Sequence, residues 1–250
     1  MTETEPPFRL KLVPLLVTVL LGAVLTLGSA IAAQILGKVL HLPTAQESVL
    51  LFLYVQHGFQ LLFALIAIAV LKFWLVPADY GLHWPRGKTY ILPAILWGVV
   101  FATLVAAGGS WLDTALHLKA TQEFTITRDN VWGWAAFEGL YVGPTEEIPF
   151  RALLVTYLAA TMPGKIRYRG YEMNVAGIVV AAIFALAHVT NFWDRPFLEA
   201  LGQQVYAFAL GVLYAYWLEK SKSVLAPILG HNVSDGTEYV FIFLMVAFWG

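Results

Sequence analysis

The sequence predicts an all-α fold, a polytopic integral membrane helical bundle of about 7 transmembrane helices. Two observations carry that prediction. Hydrophobic residues make up 59% of the chain and charged residues only 12%, with a mean hydropathy of +0.71, where a soluble globular domain carries about 25% charged residues. The apolar residues are also gathered into runs long enough to cross a bilayer, at about 20 residues per crossing. The formal net charge is −1, and no basic patch suited to nucleic acid stands out. The chain has no cysteine, which excludes disulfides, iron–sulfur clusters and a thiol nucleophile.

In chain order, the first crossing runs from Leu10 to Ala32, the second from Val49 to Val76 and the third from Tyr90 to Trp111. Arg9 and Lys11 ahead of the first run, with Ala30-Ile31-Ala32 at its end, share features with a signal peptide. Its length of about 23 residues suits an uncleaved span better. Gly143 and Pro144 interrupt the apolar region from Val131 to Met162. It therefore divides into a short helix, 131–142, and a motif-bearing helix, 145–162, with Thr145 as N-cap. The short piece is too short to span and is expected in the interface or re-entering beside the motif, with Trp132 and Trp134 at headgroup depth. If it crossed, the helices would number 8. Asn174 to Asn191, Leu198 to Leu218 and Val224 to Trp249 supply the last three crossings.

Basic residues set the orientation. Arg9 and Lys11, then Lys72, Arg86 and Lys88, then Lys165, Arg167 and Arg169, then Lys220 and Lys222 fall on one side, against Lys38, Lys119, Arg128 and Arg195 on the other. The positive-inside bias puts the N-terminus in the cytoplasm of a multi-pass protein, expected in the plasma (inner) membrane.

Ionisable residues at membrane depth read as a functional site. Glu147 and Arg151 are four apart with the acid first, so they share a helix face and pair. Glu146 is left without a sequence-local partner. Phe184 and His188 share a face of the next crossing, and His231, Asp235 and Glu238 form one stripe on the last. His57, alone on the second crossing, reads as a packing residue, and His41, His83 and His117 lie in connections. Glu146, His188, His231 and Asp235 gathered from separate spans suit hydrolysis by water. Glu146 would act as general base, an imidazole would hold the same water, His231 would stabilise the oxyanion, and Asp235 would orient His231 or share its proton.

The set Glu146-Glu147-x-x-x-Arg151, Phe184-x-x-x-His188 and His231-x-x-x-Asp235 resembles the CPBP family, the CAAX-protease and bacteriocin-processing (Abi) group of glutamic-type intramembrane endopeptidases. The resemblance covers about Val131 to Trp249. It implies a catalytic helical core over 131–250, preceded by N-terminal transmembrane helices and connections over 1–130. It assigns Glu146 and His188 to water activation and His231 to the oxyanion, supported by Glu147 and Arg151, with no cofactor and no metal. Prenyl-protease members have asparagine where this chain has Asp235, and an ionised aspartate cannot donate to an oxyanion. The expected substrate is therefore another membrane-anchored protein or peptide, cut near the bilayer. At 1.5 Å per residue Glu146 lies about 25 Å and His188 about 20 Å from the cytoplasmic helix ends, which puts the site mid-membrane or nearer the outer face.

Two other functions fit the same residues. Histidines with carboxylates are also a zinc ligand set, although the H-E-x-x-H helix of zinc metalloproteases is missing. A non-enzymatic transporter or immunity-type protein would use the cluster to bind an ion or a partner helix.

Overall fold

The computed structural model describes residues 10–45, 47–115 and 127–249. Among them the chain forms α1 (Leu12–Leu40), α2 (Val49–Leu75) and α3 (Ile91–Ala115), then α4 over 128–161. A hairpin of β1 (Lys165–Tyr168) and β2 (Tyr171–Asn174) precedes α5 (Val175–Ala187), α6 (Asn191–Asp194), α7 (Phe197–Ser221) and α8 (Leu225–Trp249). His117 lies outside the described residues. Among the described residues the bundle is all-α apart from the hairpin, which hydropathy reads only as a connection. Arg169 and Gly170 both have positive φ, 49° and 83°, the backbone a two-residue hairpin turn requires. Lys165 and Arg167 hydrogen-bond Glu172 at 2.7 and 2.5 Å, and those bonds hold its carboxyl down at about 2.

Local chemistry sets the helix starts. Ser48 accepts from the Leu51 N–H, Thr127 from Asn130 and Asn174 from Ala176, at 3.4, 3.3 and 2.8 Å, each in the N-cap role. The outer faces are apolar: Leu16, Leu20 and Leu27 on α1, Ile66 on α2 and Leu96 on α3 are exposed, as a hydrocarbon solvent demands. Among the described residues, four stretches are long and apolar enough to cross a membrane: Leu12–Leu40, Val49–Leu75, Ile91–Gly108 and Val175–Trp193. They coincide with four of the crossings read from hydropathy. The α7 and α8 helices have 25 residues each, about 37 Å at 1.5 Å per residue, but they carry polar side chains inward.

The structure corrects the expected break at Gly143 and Pro144. Residues 128–161 are helical throughout, with wider π-type turns at Phe137–Tyr141 and Ile148–Val155. Thr145 is therefore not an N-cap: its hydroxyl donates back to the Tyr141 and Val142 carbonyls, 2.8 and 3.0 Å away. Pro149 sits at the start of the second π-type turn. A proline lacks the N–H and crowds the carbonyl four residues back, and the wider turn relieves that conflict. At the first turn Asn232 of α8 inserts its amide, accepting from the Gly143 N–H at 2.8 Å and donating to the Leu140 carbonyl at 3.3 Å. A side chain entering the ladder is a known cause of such local rewinding. Trp134 is also corrected, since it is buried and stacks on Tyr239 at 5.3 Å, while Trp132 is exposed.

This rewound α4 is central, packing against α2, α5, α7 and α8, and Phe150, Leu153, Leu154 and Leu158 are buried around it. Its approach to α8 depends on Gly143, where a Cβ would lie 2.7 Å from the Ile228 carbonyl oxygen. We expect Gly143→Ala to destabilise the protein by about 1–3 kcal/mol, read as a lower melting temperature in detergent. Gly139→Ala, where a Cβ meets nothing within 4 Å, should leave it unchanged.

Candidate active site

Adjacent residues on a helix point about 100° apart, and at Glu146 and Glu147 that difference separates two environments. Glu147 is fully buried. Its Oε1 lies 3.0 Å from Arg151 Nη1 and 2.6 Å from His231 Nδ1. The pairing with Arg151 matches the spacing, whereas the contact with His231 is not legible from it. Arg151 is buried too, with its guanidinium 4.2 Å over the Phe184 ring and 5.5 Å from that of Tyr214. Gly211 makes room for it, since a Cβ there would stand 3.3 Å from Nη2. The cation faces two π-systems as well as a carboxylate, which offsets part of its desolvation.

Glu146 is placed differently. Its side chain is 14% exposed, with Oε2 3.7 Å from His231 Nε2 and Oε1 3.9 Å from His57 Nε2. Both separations exceed hydrogen-bond length. Its lone pairs remain available to a small molecule lying between it and the rings.

The histidines fix the rest. His231, on α8 beside Asn232, has Nε2 3.1 Å from Asp235 Oδ2, so both ring nitrogens face carboxylate oxygens and each contact needs a proton between its atoms. The Asp235 contact expected from the four-residue spacing is present. It engages the opposite ring nitrogen from the one Glu147 holds. His188 ends α5, where its Nδ1 donates to the Phe184 carbonyl at 2.9 Å. A carbonyl only accepts, so the proton is on Nδ1 and Nε2 is the acceptor. Phe184 stands between the two rings, edge-on to His188 at 5.0 Å and to His231 at 6.2 Å. His188 also interacts electrostatically with Glu146 and His57. All seven residues singled out in the motifs thus come from α4, α5 and α8 to one region of the bundle.

Other polar residues join them unannounced by any motif. His57 is buried on α2, Glu138 is buried on α4, and Tyr206 of α7 hydrogen-bonds Ser234. Glu138 interacts with Asp235, Glu146 and Glu238, which gives the His231 stripe its far end. A signal for His57 did exist: Gln60 shares its buried stripe with Ala64 and Ile68, at the helical spacing of an inward face. Among the described residues, no group of three or more histidine and carboxylate side chains is arranged to hold a metal ion.

Removing one partner of a buried ion pair leaves the other charge uncompensated. We expect Arg151→Met to destabilise the fold by about 3–5 kcal/mol, measured by thermal unfolding in detergent. Glu172→Gln, at an ion pair standing in water, should leave the melting temperature almost unchanged.

No curated protein and no solved structure matches the chain. Residues 128–237, which hold Glu146, Glu147, Arg151, Phe184, His188, His231 and Asp235, match a family model. That family is described as type II CAAX prenyl endopeptidase Rce1-like, and over these residues the chain is similar to the CAAX-protease group that its motifs resemble.

Proposed function

We propose that the protein is a glutamic-type intramembrane endopeptidase that hydrolyses a peptide bond in a membrane-anchored protein or peptide. The observation that carries this reading is the division of work between adjacent carboxylates. Glu147 is committed to Arg151 and His231, while Glu146 is partly exposed and 3.7 Å or more from either ring nitrogen it faces. A general base needs such a free lone pair within reach of water.

In this reading Glu146 takes a proton from water as its oxygen attacks the scissile carbonyl. His188 Nε2, left as acceptor by the Phe184 carbonyl, helps to hold that water. The developing oxyanion meets His231 Nε2–H, which turns from Asp235 toward it, and Glu147 keeps the ring in place through Nδ1. Glu146 then gives its proton to the leaving nitrogen. The family match supports a protease acting on a membrane-associated peptide. Asp235 in place of asparagine favours a target that is not defined by a prenyl group. The bundle crosses the plasma membrane seven times in this reading, with its N-terminus cytoplasmic.

Full-length protein in vesicles can be tested on two fluorogenic probes, a farnesylated CAAX peptide and an unprenylated transmembrane peptide. Glu146→Gln and His188→Ala should each lower kcat by about 10²–10⁴-fold while the protein still folds. The unprenylated probe should be the better substrate, and a chelator should leave activity intact. Full turnover by Glu146→Gln would end the hydrolase reading. Loss of activity in chelator, restored by zinc, would replace it with a metalloprotease.

A further inference from the structure

His57 lies on α2, outside the residues that match the family. The proposed chemistry so far gives it no task. It is 7% exposed, edge-on to Phe137 at 5.0 Å, and both of its ring nitrogens have neighbours on α4. Nδ1 is 3.0 Å from Thr145 Oγ1 and Nε2 is 3.9 Å from Glu146 Oε1.

The Thr145 contact decides the tautomer. The hydroxyl has one hydrogen, and the Tyr141 and Val142 carbonyls, which only accept, compete for it at 2.8 and 3.0 Å. Toward His57 the hydroxyl oxygen therefore accepts, so Nδ1 carries a hydrogen. In the neutral ring Nε2 is then a bare acceptor, facing the carboxylate across a gap too long for a direct hydrogen bond. Two acceptors about 4 Å apart suit a single water that donates one hydrogen to each. A water so held turns its oxygen lone pairs outward.

We propose that His57 Nε2 and Glu146 Oε1 together grip the attacking water, making His57 a catalytic residue contributed by the N-terminal half of the chain. The inference rests on Glu146 being the base. As the new oxygen–carbon bond forms, Glu146 takes the hydrogen pointing at it. The second hydrogen stays on the oxygen, shared between His57 Nε2 and the His188 Nε2 that helps to hold the same water. When the carbon–nitrogen bond breaks, Glu146 returns its proton to the leaving amine, and the retained hydrogen leaves on the product acid.

Three substitutions separate this role from anchoring. His57→Asn keeps a donor near the Nδ1 position for Thr145 but has no atom near Nε2. His57→Gln can place its amide oxygen there. On whichever fluorogenic peptide the wild type cleaves, His57→Asn and His57→Ala should both lose about a hundredfold in kcat at unchanged KM. His57→Gln should recover at least about tenfold of that loss. Thr145→Val should lower kcat and Thr145→Ser restore it. An independent readout is the 15N NMR of histidine-labelled full-length protein in micelles, where His57 should be protonated at Nδ1 and bare at Nε2. A His57→Asn enzyme with wild-type kcat, or a His57 ring protonated at Nε2, would overturn the proposal. If Glu146→Gln is inactive while His57→Asn is not, only the His57 role falls; an active Glu146→Gln removes both.

Discussion

The contact between the buried Glu147 carboxylate and His231 is what the rest of the structure depends on. At 2.6 Å it joins α4 to α8, two helices that meet far apart in sequence, and it does so where water cannot compensate an unpaired charge. Arg151 on one side and Asp235 on the other extend it into a chain of alternating signs. Burying any single member would be costly, whereas the whole series offsets its own desolvation. Folding and the assembly of the site are therefore one event. Helices out of register would leave charges stranded in the bundle.

The same contact explains why two neighbouring glutamates differ. One is consumed as structure, so the other can stay chemically available. Glu147 holds the arginine and the imidazole through Oε1 but is fully buried, whereas Glu146 keeps part of its carboxylate open to a small molecule. The pair of acids on one turn divides those demands by direction alone, since consecutive side chains leave a helix on different faces.

Much of this was legible in the sequence. The ends of α1, α2, α5, α7 and α8 lie within a few residues of where hydropathy changes, except that α1 runs on to Leu40. The three motifs named the side chains that meet, because ionisable groups are rare in such helices. Gly143-Pro144 misled, since its ordinary meaning is a helix break. The cost is met instead by Asn232 and by a wider turn, and neither is local. Trp134 was misplaced for a related reason: its stacking partner Tyr239 is about a hundred residues away. The stripe His57 shares with Gln60 shows only that the ring faces inward, and what it meets there depends on α2 lying against α4.

The Asn232 amide that bonds both a carbonyl and an N–H of α4 acts as a latch. Sliding α8 by one residue would break both bonds together, so these two helices engage at discrete stops instead of drifting past each other. The pair then behaves as one rigid post. Such a post keeps the carboxylates of one helix and the imidazole of the other at a set separation.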